Sequence, residues 1–306
     1  MNTHVHQKIK SPAYSQFIIG LIFALGAALG FSAKAIFVKL AYTYNVDAIT
    51  LLMFRMMFAM PFFLIIAYIE EHKEKSRISH KNMALIILMG LIGYYLSSFL
   101  DFTGLLYISA GLERLILFIY PTIVVILSSL FFGKNIQKEA YIALALSYAG
   151  IALAMANDIQ ISTEHVLLGS ALVFASTLSY SIFLVGSGEL IPKVGARRFA
   201  AYAMIVSCLA VFVHFALVRD IGAFKQPIEV YGYGLAMAIF STVIPAFLLA
   251  AAIQRIGANK VSIIGGFGPI ATIAMAAIFL NETISTSQIL GATLVITGIF
   301  ILGKKR

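Results

Sequence analysis

The segments ISAGLERLILFIYP (108–121) and IGANKVSIIGGFGP (256–269) decide the fold of this chain. At a constant offset of 148 they place Pro121 over Pro269. The match continues without a gap through a short polar turn into a second apolar segment with a late glycine. This shared order of proline, turn and glycine predicts an internal repeat of helix pairs, which is typical of helical membrane proteins.

The composition predicts that the chain lies in a lipid bilayer. Its 306 residues are 61% hydrophobic and 11% charged, with a mean hydropathy of +0.96. Soluble domains carry about 25% charged residues. Apolar runs long enough to cross roughly 30 Å of hydrocarbon recur along the sequence. They are predicted to be helices, because they are continuously apolar and do not alternate as barrel strands do. The ten runs lie at about 17–39, 48–69, 83–107, 111–132, 140–156, 166–186, 199–218, 231–253, 261–280 and 287–303.

The ten runs form two halves, which we predict to be five-helix repeats over 17–156 and 166–303. The repeat extends beyond the opening segments, since Ser32 matches Ser181 at an offset of 149. Because five is an odd number of crossings, the two copies enter the membrane from opposite sides. The predicted fold is therefore an all-α membrane protein of ten transmembrane helices, in two inverted repeats around a central cavity.

The net charge of +9 indicates orientation rather than a nucleic-acid partner. Sixteen of the 22 lysines and arginines lie on one side of the predicted spans, and only Arg219 and Lys225 lie in the loops on the other side. Cytoplasmic loops carry such an excess of basic residues. We therefore expect both termini in the cytoplasm, a position in the bacterial inner membrane and no nucleic-acid partner.

The charged side chains within or at the ends of the predicted spans include Lys34, Arg55, Asp101, Glu113 and Arg114, which we take as candidates for substrate binding or coupling. By the rise of about 1.5 Å per residue, the first three lie about 9–10 Å below the outer ends of three different helices. Tyr94 and Ser97 share a polar helical stripe with Asp101. Because isolated charges are costly in a bilayer, we expect them to pair. Two interpretations stay open, an ion-pair network that only fixes helix packing and the polar end of a solute cavity.

Helix-breaking residues occur at corresponding places in the two halves. They are Pro121 in the first half and Gly265, Gly266, Gly268 and Pro269 in the second. Proline removes a helical hydrogen-bond donor, and glycines lower the cost of unwinding a helix. Interrupted helices in equivalent places of two inverted halves indicate a binding site and hinge. The alternative is that these residues are simply common in membrane helices.

The sequence offers no motif for catalysis. It contains no HExxH metalloprotease motif, no serine nucleophile elbow and no Walker lysine motif. We therefore predict no enzyme activity, no catalytic or metal-binding residue and no cofactor. A channel would repeat rings of like residues by symmetry. The charges of the first half are not repeated in the second, where Phe183 replaces Lys34.

Over about 17–303 the chain resembles the EamA-type transporters of the drug/metabolite transporter superfamily. The residues that carry the resemblance are Arg55, the run 104–114 leading to Pro121, and the run from Pro269 through Asn281-Glu282 to Gly291 and Gly298. It implies a basket of helices around a central cavity and transport of small metabolites such as amino acids. The chain departs from the family pattern at Lys134, where an acidic residue is usual, and in lacking a tryptophan in the first span.

Taken together, the patterns predict a secondary transporter or facilitator that works by alternating access. Lys34, Arg55 and Arg114 are expected to attract a carboxylate or another anionic group. Asp101 or Glu113 would balance them and is a candidate to carry a coupling proton. The expected partners are the lipid bilayer, a small-molecule substrate and, through small-residue faces of the fifth and tenth helices, a second copy of the chain. The alternatives are a channel and a non-transporting scaffold whose buried charges are only structural.

Overall fold

The structure, a computed structural model, describes residues 12–73, 76–108, 110–133, 135–136, 138–155, 165–279 and 286–304. Within these ranges the regular structure is helical throughout. The helices in chain order are α1 (Pro12–Tyr42), α2 (Ala48–Lys73), α3 (His80–Gly104), α4 (Ala110–Leu117), α5 (Tyr120–Phe132), α6 (Lys138–Met155), α7 (Val166–Val194), α8 (Ala196–Val218), α9 (Ile228–Ile256), α10 (Ala258–Ile264), α11 (Gly268–Phe279) and α12 (Thr286–Lys304). The described residues do not include Lys134, the connection 156–164 between the predicted halves or the turn at Asn281-Glu282.

Several of these helices are long and apolar enough to cross a membrane. Within the described residues they number seven, which are α1, α2, α3, α7, α8, α9 and the segment Ala258–Phe279 formed by α10 and α11. Counted from Ser15 in α1, these spans have 22 to 29 residues, which correspond to about 33–44 Å at the α-helical rise and exceed a hydrocarbon core of roughly 30 Å. The chain is therefore an integral multi-pass membrane protein. The count of ten crossing helices stays a prediction.

The helices α4 and α5 are the two parts of one interrupted segment, as are α10 and α11. The first interruption lies at residues 118–119, and Pro121 is the second residue of α5, where its missing N–H would be unpaired in any case. The second interruption is a 3₁₀ turn, Gly265–Phe267, directly before α11. Both interruptions therefore lie where the helix-breaking residues predict them, although their role as hinges stays a prediction.

Two other helices each contain a π-helical segment, a rare geometry that is often found at functional sites. These segments are Gly90–Leu96 in α3 and Ile239–Val243 in α9. When the first is shifted by 148 residues, the offset of the internal repeat, it covers the second. Irregular backbone thus occurs at matching places in four of the helical segments.

Helices α2 and α8 pack side by side in antiparallel directions, and polar contacts join them at both ends. At the start of α2, Arg219 Nε lies 3.2 Å from the Asp47 carboxylate. At the end of α2, Arg198 lies 3.0 Å from Glu71, which also accepts a 2.6 Å hydrogen bond from the Tyr202 hydroxyl. These contacts hold the two helices in opposite directions along most of their length.

Asp47 also caps helix α2 from the loop that precedes it. Its carboxylate accepts hydrogen bonds from the Thr50 N–H (3.1 Å) and the Thr50 hydroxyl (2.7 Å). Partial burial raises the pKa of the Asp47 carboxyl, but the hydrogen bonds from Thr50 and Arg219 outweigh burial and hold the pKa below its ordinary value. The cap and the contact with α8 therefore both involve an ionised carboxylate at neutral pH.

Small residues allow the central helices to approach closely. Gly30 of α1 lies against Pro245 of α9, and a side chain at Gly30 would overlap that proline. Gly150 of α6 lies against the carbonyl of Gly291 in α12, so this small-residue surface is used within one chain. Such close approach is how helices associate in lipid. The remaining central helices enclose a cavity.

Candidate functional site

A cavity of about 120 Å³ lies at the centre of the molecule, lined by residues of α1, α2, α3, α4, α5, α7, α9, α10 and α11. Six of the seven predicted substrate residues line it, namely Lys34, Arg55, Tyr94, Ser97, Asp101 and Arg114. The seventh, Glu113, is fully buried beside it. Of the predicted hinge residues, Gly265, Gly268 and Pro269 line the cavity, whereas Pro121 and Gly266 are buried outside its lining.

Four of the predicted charges form one ion cluster that joins α1, α3 and α4. The Lys34 ammonium contacts the Asp101 carboxylate directly. It also lies 3.7 Å from Glu113, whose other oxygen is 3.1 Å from Arg114 Nε. Two carboxylates therefore share the field of two cations, and the cluster is neutral overall.

The ion cluster is buried but not saturated with hydrogen bonds. Asp101 is 1% exposed and Glu113 is fully buried. One oxygen of Asp101, both oxygens of Glu113 and the Nε of Arg114 have no hydrogen-bond partner in the described part of the chain. The distance of 3.1 Å between Arg114 and Glu113 thus provides charge attraction without an aligned hydrogen bond.

Arg114 is anchored to α1 by its other nitrogen. Its Nη2 donates to the carbonyl of Phe31 at 2.9 Å and to that of Ser32 at 3.3 Å. The guanidinium therefore has partners on both sides, the α1 backbone and Glu113.

Arg55 is the predicted charge that stays outside the ion cluster. Its Nε donates to the Thr242 hydroxyl of α9 at 2.6 Å, and Nη1 lies 3.4 Å from the Ser98 hydroxyl. The guanidinium carbon also lies 5.5 Å from the centre of the Phe102 ring. No carboxylate of the described residues lies within 4.0 Å of it, although Arg55 is only 3% exposed and lines the cavity. The cavity thus contains a buried cation with neutral partners only.

The cavity lining also includes uncharged polar and aromatic residues, several of which sequence reasoning missed. Ser97 of α3 and Ser176 of α7 join these helices, with 3.0 Å between their hydroxyl oxygens. The rings of Tyr180 and Tyr120 meet edge to face at 5.6 Å. Ser176 and Tyr180 are four residues apart on one face of α7, so helical spacing was a signal that could have found them. Thr242, the partner of Arg55, had no such signal.

The two interrupted segments contact each other beside the cavity. The Tyr120 hydroxyl at the start of α5 lies so close to Gly265 that any side chain at that glycine would overlap it. Ser32 of α1 donates to the carbonyl of Gly268 at 2.8 Å, and Ser181 of α7 lies 3.5 Å from the carbonyl of Tyr120. Each interruption therefore presents a carbonyl to a serine from the other half.

In the described part of the chain, no group of three histidine, cysteine, aspartate or glutamate residues could hold a metal ion. The polar chemistry of the site is therefore that of cations, carboxylates, hydroxyls and aromatic rings. Such groups can bind and orient an organic solute by charge and hydrogen bonds.

Comparisons with known proteins agree with this architecture. The chain is 29% identical to the uncharacterized transporter YcbK of Bacillus subtilis, over 89% of this chain and 88% of the relative. It is 25% identical to an uncharacterized transporter of Methanothermobacter thermautotrophicus, over 95% and 88%. A WAT1-related protein of Arabidopsis thaliana is 22% identical, over 87% and 84%. A solved crystal structure has the same fold, with a TM-score of 0.73 at 14% identity over 94% of this chain and 96% of that chain.

The family comparison covers most of the chain. A family model described as the EamA-like transporter family matches residues 18–156 and again residues 167–304. The resemblance to EamA-type transporters is thereby confirmed, and the chain belongs to the EamA-like transporter family.

Proposed function

We propose that the protein is a secondary transporter of small organic solutes that carry a carboxylate, such as amino acids or related anions, and that it works by alternating access. One observation carries the proposal: the central cavity places Arg55, a buried cation with neutral partners only, beside two interrupted helical segments that contact each other. A solute carboxylate would complete the charge pairing of Arg55. Movement at the interruptions would expose the cavity to one side and then to the other.

The proposed mechanism requires two inverted halves, and the α2–α8 contact supports this orientation. Helix α2 is the second helix of the first half and α8 is the second helix of the other half. Ion pairs join the start of α2 to the end of α8 and the end of α2 to the start of α8. If equivalent helices of two repeats run in opposite directions, the repeats are related by an axis in the membrane plane.

The pattern of helix contacts supports the same symmetry. The contact between α3 and α7 has its counterpart in the contact between α9 and α1, and the contact between α5 and α7 has its counterpart between α11 and α1. The serines follow this rule as well, because Ser32 and Gly268 match Ser181 and Tyr120 at the repeat offsets.

The charges suggest how a solute would be held. We assign Lys34, Arg55 and Arg114 to the attraction of an anionic group, with Tyr94 and Ser97 on the cavity wall. Asp101 and Glu113 are the candidates for a coupling proton, because their oxygens include acceptors without hydrogen bonds. We place the protein in the bacterial inner membrane with both termini in the cytoplasm, on the distribution of its basic residues. A homodimer stays a prediction.

The alternatives are a channel or a scaffold with purely structural charges. The ion cluster of Lys34, Asp101, Glu113 and Arg114 would be compatible with a scaffold, since its charges pair among themselves. Arg55 favours the transporter, because a buried cation without a carboxylate within 4.0 Å is costly for a network that only holds helices together.

Alternating access can be tested by locking one end of the bundle. Ser128 at the end of α5 donates to Asn259 at the start of α10 over 2.6 Å, at the end predicted to face the cytoplasm. We would introduce Ser128→Cys and Asn259→Cys together in a Cys208→Ala background. After reconstitution into proteoliposomes, we would measure uptake of radiolabelled alanine, lactate, phenylalanine and phenyllactate. The two single-cysteine variants are the controls.

A transporter that alternates access should lose uptake on oxidation of the double variant and recover it on reduction, while the single-cysteine controls should not respond. Uptake that continues through the oxidised protein would favour a channel. If the unmodified protein shows no uptake above that of empty liposomes for any of the four solutes, the proposed transport of small carboxylates would be wrong.

A further inference from the structure

The charges around the cavity do not balance, and the imbalance selects a class of solute. Lys34, Arg55 and Arg114 are positive and Asp101 and Glu113 are negative, which leaves a formal charge of +1. We propose that the cavity binds a small carboxylate without an ammonium group, such as a 2-hydroxy acid, in preference to the zwitterionic amino acid with the same carbon skeleton. This inference rests on the proposed function and narrows its substrate.

Arg55 is the group that would hold the solute carboxylate. The cations of the ion cluster already face carboxylates, Lys34 that of Asp101 and Arg114 that of Glu113. Arg55 lines the cavity with only the hydroxyls of Thr242 and Ser98 as hydrogen-bond partners. A guanidinium binds a carboxylate with two parallel hydrogen bonds, and a monoanion at this place would bring the charge of the site to zero.

The cavity offers an ammonium group no accessible carboxylate oxygen that is free of a cation. Asp101 is the carboxylate that lines the cavity; one of its oxygens contacts Lys34, and the other, which has no hydrogen-bond partner, is buried. Glu113 lies outside the lining, and the nearby carbonyls of Phe31 and Ser32 accept hydrogen bonds from Arg114. An ammonium group in this cavity would therefore meet a site with an excess of positive charge, and like charges at close quarters are strongly disfavoured.

The uncharged part of the lining is suited to neutral polar groups. The hydroxyls of Tyr94, Tyr120 and Tyr180 belong to rings that line the cavity, and none of them has a hydrogen-bond partner among the described residues. A phenol hydroxyl can donate to or accept from a solute hydroxyl or carbonyl oxygen without adding charge. The remaining wall, which includes Leu184 and Leu249, would contact an apolar side chain.

Two pairs of matched solutes test this inference. Lactate and alanine share one carbon skeleton, as do phenyllactate and phenylalanine, and each pair exchanges a hydroxyl for an ammonium group. We would measure the thermal stabilisation of the purified protein and the uptake into proteoliposomes for all four. We expect the hydroxy acid of at least one pair to bind about a hundredfold more tightly than its amino acid, because like-charge contacts are costly.

Variants of Arg55 link the preference to this residue. Arg55→Gln should weaken hydroxy-acid binding at least about tenfold, the effect of losing a charged hydrogen bond. Arg55→Lys, which keeps the charge, should retain part of the binding and serves as the second variant if Arg55→Gln does not fold. Preference for the hydroxy acid that is unchanged in both folded variants would overturn the assignment of Arg55.

The outcomes separate the two proposals. Amino acids that bind and are transported as well as their hydroxy acids would overturn the inference and leave the proposed transport standing. Hydroxy acids that stabilise the protein but are not taken up would support the inference and contradict the proposed transport. If none of the four solutes binds, the inference is wrong.

Discussion

The two halves of the molecule share one backbone plan but not one chemistry. At the repeat offsets, Lys34 of the first half corresponds to Phe183, Asp101 to Leu249 and Glu113 to Val261. Leu249 and Val261 line the same cavity as the charges. The repeat therefore explains how the cavity is enclosed, and the departures from the repeat place the charged residues of its lining in the first half.

The interruptions differ in a related way. In the first half Tyr120 follows the interruption directly and precedes Pro121, and the aromatic ring of Tyr120 lines the cavity. In the second half glycines form the interruption, and Gly265 gives the Tyr120 hydroxyl the space that it occupies. One half supplies a bulky group and the other half supplies room for it, so the two interruptions are complementary rather than alike.

The comparison between the charged half and its apolar counterpart predicts that Lys34→Met lowers the free energy of unfolding more than any other variant that we propose. This variant gives α1 an uncharged side chain, as the second half has in Phe183. Asp101 would stay buried after losing the cation in contact with it. Breaking a buried ion pair in this way costs about 3–5 kcal/mol. We expect that loss in the free energy of unfolding, measured by detergent-induced unfolding in mixed micelles and followed by circular dichroism.

The double variant Lys34→Met, Asp101→Leu makes both positions uncharged, as they are in the second half, and should recover most of the lost stability, because neither charge of the pair is left alone. Lys39→Met is the control. The Lys39 ammonium donates to the carbonyls of Leu105 and Ile108 at 2.7 Å each. Its loss therefore breaks no hydrogen bond to a carboxylate. A double variant as unstable as Lys34→Met would show that the two halves are not interchangeable at this pair.

The helices and the common level of the charges could be predicted, because hydropathy and helical rise act along one helix at a time. The contact between Lys34 and Asp101 followed from that level and from the cost of isolated charges. The repeat offset also predicted that both interruptions would lie at equivalent places. Each of these features is local, or repeated in a way that an alignment of the two halves detects.

The partners across the cavity could not be predicted. Thr242 lies 187 residues from Arg55, and only the packing of α2 against α9 brings them together. Tyr180 lies on a largely apolar helix, where its spacing from Ser176 indicates a shared face but not the helix that this face meets. Since lipid is as apolar as the protein core, hydropathy does not show which face of such a helix points inward. The assembly of the site therefore depends on helix packing, which the sequence pattern leaves open.

The complementarity of the two interruptions predicts that Gly265→Ala lowers the stability of the protein, by less than Lys34→Met does. The added methyl group would overlap the Tyr120 hydroxyl, and the carbon that bears this hydroxyl would be 3.0 Å away. Overpacking of this kind costs about 1–3 kcal/mol, which thermal unfolding should detect. Adding Tyr120→Phe should recover part of the loss. Gly232→Ala is the control, since nothing lies within 4 Å of a side-chain carbon at that position. An equal effect at both glycines would contradict the proposed contact.

The smallest effect on stability is expected at Ser32 and Ser181. These serines occupy equivalent positions in the two halves but make different hydrogen bonds. The Ser32 hydroxyl donates to the Gly268 carbonyl at 2.8 Å, and Thr272 donates to the same carbonyl at 3.1 Å. Ser32→Ala would thus leave the Thr272 hydroxyl as the side-chain donor to that carbonyl. A side-chain hydrogen bond within a membrane protein contributes about 0.6 kcal/mol on average and up to about 1.7 kcal/mol. We expect Ser32→Ala to cost an amount in this range in the free energy of unfolding.

Ser181→Ala should cost less, because a hydroxyl has one proton to donate. The Ser181 hydroxyl lies 2.7 Å from the Thr177 carbonyl of its own helix and 3.5 Å from the Tyr120 carbonyl. It therefore donates mainly within α7 and contributes little to the contact between the halves. Detergent-induced unfolding of both variants, measured side by side, would test this difference. Equal losses would mean that the two serines act alike, and the asymmetry between the halves would then be confined to the charged residues and the interruptions.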